Sequence, residues 1–177
     1  MHRYLLASVV VLACVQPSAT PTSTIALSPA ALDSVVLERT RCFGPCPVYR
    51  LRIDGRGQVH FTSPDPRGVR TIATDQLEAW VADSLAAQAE RIGLAELPDD
   101  ISTSSELCRF KWTDHPGIRL AIYGASVKQV MYDTGCYVGP NANARVVAPE
   151  LMALKQFAAR IDSLARAERW VQPHMFR

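Results

Sequence analysis

Two hydrophobic periods run along this chain. Around residues 48–53 the pattern alternates, with Tyr49, Leu51 and Ile53 on one side and Arg50 and Arg52 on the other. That is the period of a half-buried strand. Asp54-Gly55-Arg56-Gly57 is a turn signal, after which Val59 and Phe61 resume the apolar side and His60 points away. Residues 48–62 therefore predict a β-hairpin. Residues 34–40 predict a strand before it, and residues 69–73 a short strand after it. Alternation returns in residues 107–112, with Cys108, Phe110 and Trp112 sharing a side. Residues 118–123 and 127–132 then predict a second hairpin around Gly124-Ala125-Ser126.

The other period is helical. Leu77, Val81, Leu85 and Ala89 recur every four residues, with Trp80 and Ile92 extending the stripe. With Thr74 as N-cap and Gly93 as terminator, this predicts a helix over 75–91. Pro149 stands where a first-turn proline belongs, and Leu151, Leu154, Phe157, Ala158 and Ile161 mark a second amphipathic helix behind it. Local hairpins imply an antiparallel sheet. Each helix has one apolar stripe. The expected fold is α+β: an antiparallel sheet built from two hairpin-containing halves, with two amphipathic helices packed on one face.

The N-terminus changes the picture of where such a domain would work. A short segment with Arg3 precedes a nine-residue apolar run, Leu5 to Ala13, interrupted only by Ser8. As a helix it would span about 14 Å, against about 30 Å for a bilayer core. It reads as a signal sequence. Val11-Leu12-Ala13-Cys14 resembles a bacterial lipobox, which implies lipidation of Cys14 as the first mature residue. Val15 in the next position favours the outer membrane where an envelope has two. Ordinary secretion with cleavage near Ala19 is the alternative. Residues 14–30, rich in Pro, Ser, Thr and Ala and free of charge, read as a tether. The expected organisation is a signal peptide at 1–13, the tether, one domain at 31–171 and a flexible tail at 172–177. The chain would face the periplasm or exterior, held to the membrane by its lipid.

Charge narrows the partners. Formal net charge is +2, with 16 Arg and 3 Lys spread along the chain. Without a clustered basic surface, nucleic acid is not an expected partner. An envelope protein or a small ligand is.

Apart from Cys14, four cysteines are present: Cys42, Cys46, Cys108 and Cys136. An even set in an exported protein points to disulfides. Three pairings are open. The Gly44-Pro45 turn between Cys42 and Cys46 favours 42–46 with 108–136. The alternatives are thiol exchange or copper binding at Cys42 and Cys46, with His60 or His115 completing a metal site. Spacing argues against exchange: three residues separate the pair, and a strand rather than a helix follows. No cofactor is expected. The stretch Glu38-Arg39-Thr40-Arg41-Cys42-Phe43-Gly44-Pro45-Cys46-Pro47-Val48-Tyr49 resembles the opening of a family of uncharacterised bacterial domains, the DUF6438 type. Resemblance extends over about residues 33–166, with its specific part at 37–57. It implies no activity, and it makes Cys108 and Cys136 local additions.

Catalytic signatures are missing from the sequence: no nucleophile triad, P-loop or dinucleotide fingerprint occurs. Glu106, Asp114 and Asp133 are the carboxylates an unrecognised hydrolase site would draw on, though nothing selects a pair. His60, His115 and His174 read as a solvated strand residue, a turn residue and a tail residue. Trp112 and Tyr123 are the aromatics best placed for an exposed interaction patch. A non-catalytic interaction or ligand-binding module is the leading expectation.

Overall fold

A computed structural model describes residues 32–64, 70–101, 106–141 and 143–171. The signal segment, the whole tether with Cys14, His174 and the C-terminal tail lie outside these residues. One six-stranded antiparallel sheet dominates the domain, in the order β4-β3-β2-β1-β6-β7. Its strands are β1 (Ser34–Arg39), β2 (Tyr49–Asp54), β3 (Gln58–Pro64), β4 (Arg70–Gln76), β6 (Gly117–Tyr123) and β7 (Val127–Asp133). A miniature second sheet pairs β5 (Phe110–Lys111) with β8 (Cys136–Tyr137). The first strand in sequence thus becomes a central one. β2-β3-β4 meander away on one side of β1, and the β6–β7 hairpin docks on the other. The expected two hairpin-containing halves meet at β1.

Helices α1 (Trp80–Arg91) and α2 (Pro149–Ala165) lie on one face of the large sheet. That face carries Val35, Leu37, Leu51, Ile53, Val59, Phe61, Ile118 and Leu120, all 0 or 1% exposed. Leu85 of α1 and Leu151, Leu154, Phe157 and Ile161 of α2 fill the layer above it, each fully buried. Among the described residues no helix covers the opposite face, and β2 and β3 bury only alternate residues.

Three expectations need correction. β4 runs on to Gln76, so Thr74 is a strand residue paired with His60 rather than a helix cap. Leu77 is held by a hydrogen bond from its N–H to Gly57 O (2.9 Å), which delays α1 to Trp80. Trp80 does not extend the buried stripe, being 59% exposed. Alternation in 107–112 yields only two strand residues, because this segment pairs with the short β8 instead of the large sheet. The outer edge of β7 is closed by residues 99–101: Met131 N–H donates to Asp99 O (2.7 Å), and Ile101 N–H to Met131 O (2.8 Å).

Candidate functional site

The motif 38–49 leaves β1 at one end of the sheet and re-enters it at β2, and both feet are fixed. On the helix-covered side, Arg39 donates to Asp162 of α2 through Nε (3.1 Å) and a terminal nitrogen (2.5 Å). Tyr49 donates its hydroxyl to the other Asp162 oxygen at 2.7 Å. Burial, and then the Asp162 charge, push the Tyr49 phenol far above its ordinary pKa, so it stays a donor. Thr40 holds the next position, its hydroxyl accepting from Gly117 N–H at 2.7 Å. Ser63 donates to Val48 O at 2.7 Å on the return side.

Between the feet, Cys42 and Cys46 are paired, their Cα atoms 5.8 Å apart. Gly44 within this loop has φ +151°, a conformation that side chains rarely adopt. Phe43 is the consequence. Its N–H is anchored to Asp114 O (3.2 Å), yet its side chain is 87% exposed, the most exposed large apolar residue among those described. The ring therefore stands in water on a loop closed at both ends.

Asp114 links this loop to a second cluster. Cys108, two residues before β5, is paired with Cys136 of β8, with Cα atoms 4.9 Å apart and both residues buried. Phe110 stacks on Tyr137 with ring centroids 5.4 Å apart. Trp112 donates its indole N–H to the Tyr137 hydroxyl at 3.0 Å, and the Arg145 guanidinium lies 3.6 Å over the Trp112 ring. Gly135 permits this closeness, since a Cβ there would stand 2.5 Å from Trp112 O. Trp112 as a whole is 42% exposed.

Residues 33–157 match the family described as a domain of unknown function, DUF6438. The chain belongs to this family. No curated protein matches it. In this DUF6438 domain the motif residues divide their tasks: Arg39 and Tyr49 grip α2, the cysteines close the loop, and Phe43 is presented at its tip.

The residues anticipated from sequence do not all converge. Trp112 lies beside the disulfide pole, whereas Tyr123 ends β6 at the opposite end of the sheet, next to Ser34. The two belong to different surfaces. His60 sits mid-strand on the uncovered face opposite Arg52. Among the described residues no three His, Cys, Asp or Glu side chains gather as a metal site would require. Asp133 is engaged by Lys111 (2.9 Å) and by Gly135 N–H (2.9 Å), and Asp114 by Thr113 (3.3 Å). Two features were missed. Phe43 had a readable signal, an aromatic enclosed between two nearby cysteines where no periodic partner can bury it. Asp162 had none, because its contacts lie 123 and 113 residues away in sequence.

Proposed function

We propose that this DUF6438 domain is a lipid-anchored envelope module that recognises another protein through its disulfide pole. The observation that carries the reading is Phe43, 87% exposed on a loop closed by Cys42 and Cys46. Pre-organised aromatic and arginine side chains make effective binding anchors, because little conformational entropy is lost on contact. Phe43 with Trp112 and Arg145 supplies that combination. The neighbouring Arg41 is exposed as well, which favours an apolar pocket with an acidic rim on the partner.

Chain direction supports the orientation. The tether would lead into β1, which begins at Ser34, and the Phe43 loop follows the far end of β1. Anchored through Cys14, the domain would hold Phe43 at its membrane-distal pole. The disulfides suit the oxidising side of a membrane.

Two experiments test the reading. Cys14→Ser is expected to shift the protein from the membrane to the soluble fraction; unchanged fractionation would reject the anchor. A photoreactive phenylalanine analogue at position 43, irradiated in living cells, is expected to give one discrete crosslinked protein. The same analogue at exposed Lys155 on α2 serves as control. Equal patterns from both positions would reject recognition at this pole.

A further inference from the structure

The uncovered face of the large sheet carries a second, chemically different surface. Strand register sets out its side chains in rows. One row reads Arg50–Glu38–Arg119 across β2, β1 and β6, and the next reads Arg52–Val36–Ala121. Glu38 is shared: Arg50 pairs with it from one side and Arg119 reaches it at 3.7 Å from the other. One carboxylate thus faces two guanidiniums, both at least half exposed. Arg52 is exposed, stands opposite Val36 rather than an acid, and has no ion pair among the described residues.

Between these cations the floor is small. Ser34, Val36 and Ala121 are 2, 3 and 9% exposed although no helix among the described residues covers them. A depression of about 300 Å³ opens over Ser34 and Val36 and is walled by Arg50, Arg52, Tyr123 and Asp33. It shares Val36, Arg50 and Tyr123 with a second depression of about 580 Å³ that runs toward Gln129 and Met131. The Tyr123 hydroxyl makes no hydrogen bond among the described residues. Three acids line the two depressions: Glu38, held by Arg50 and Arg119, Asp33, and Asp99, which Lys128 pairs at 2.7 Å.

We infer that this face binds a small soluble ligand carrying a carboxylate or phosphate. The anionic group sits over Val36 between Arg50 and Arg52, and the ligand body extends along the larger depression. Guanidinium forks match both anions bidentately. The Tyr123 hydroxyl is placed to donate a further hydrogen bond, and Gln129 to meet a polar group on the body. Concavity favours a small molecule, since volumes of about 300–1,000 Å³ are typical of such sites. This surface is independent of the Phe43 pole, and either reading can fail alone.

Titration of the purified chain with benzoate and with inorganic phosphate, followed by NMR of arginine Nε–H and backbone resonances, tests the inference. Saturable shifts are expected at Arg50, Arg52 and Tyr123 with at least one probe. Arg52→Gln should weaken binding about tenfold, because it removes a charged donor, while leaving the melting temperature unchanged. Lys155→Gln should leave binding unaltered. Absence of saturable shifts up to about 50 mM, well beyond the millimolar range of a weak specific site, would overturn the proposal. So would undiminished binding by Arg52→Gln, or binding confined to phosphatidylglycerol vesicles with neither soluble probe bound.

Discussion

The two disulfides of this domain sit on neighbouring segments yet do different physical work. Cys42–Cys46 spans four positions and is partly exposed, whereas Cys108–Cys136 spans 28 and is buried. Cross-linking stabilises chiefly by restricting the unfolded chain, and more so for longer loops. The long link is therefore a fold-stabilising staple that secures β5 and β8 under Trp112. The short one adds little to global stability and acts on local shape, holding Phe43 away from the body. A loop whose shape is fixed at small energetic return is what the proposed recognition role of Phe43 would require.

The largest effect that would break this contrast lies in the long loop. Cys108→Ala with Cys136→Ala is expected to destabilise the domain by about 3–4 kcal/mol, read by urea denaturation. A loss no greater than that from opening the short link would erase the distinction. Next comes the anchorage of the short loop. Asp162→Asn removes the charge that Arg39 needs in a largely buried setting. It should cost about 2 kcal/mol, below the range for a fully buried pair because the site is partly wet. Cys42→Ala with Cys46→Ala should cost about 1 kcal/mol, less than the entropic limit, since the unfolded segment is already confined by its short length and proline content. Phe43→Ala should change stability by less than about 0.5 kcal/mol, as for other exposed sites without structural contacts.

Alkaline pH sharpens the same comparison. Because the Tyr49 pKa is raised in the folded state, its contribution is intact below the ordinary tyrosine value of about 10 and declines as pH rises above it, where only the unfolded chain loses the proton readily. Tyr49→Phe should flatten part of that decline in denaturation curves recorded between pH 9 and pH 11. Tyr132, also raised by burial, retains its share in the variant. At the other pH extreme, Asp75 is held below the usual carboxylate range, first by its hydrogen bond from Arg169. That link between β4 and the 3-10 turn that follows α2 persists above the unfolded carboxylate pKa and is lost on acidification.

Much of the fold was legible because it follows from period alone. Alternation in 48–62 and 118–132 yielded both hairpins, and the stripe from Leu151 to Ile161 yielded α2. Boundaries failed where a distant partner decided them. Gly57 captures Leu77 and postpones α1, and β8 draws 110–111 away from the main sheet. The site was legible in part. The favoured cysteine pairing agrees with the structure, and Arg50 and Arg52 were visible on one side of β2. Their convergence with Arg119 required knowing that β1 lies between β2 and β6, a register that no local pattern encodes.

The central claim is that the Cys42–Cys46 link exists to present Phe43. It is tested most directly by in-cell crosslinking from position 43 in chains with and without Cys42→Ala and Cys46→Ala, both confirmed as folded by their melting curves. The account predicts a discrete crosslinked product from the paired form and its disappearance from the opened loop. An undiminished product from the opened loop would contradict it.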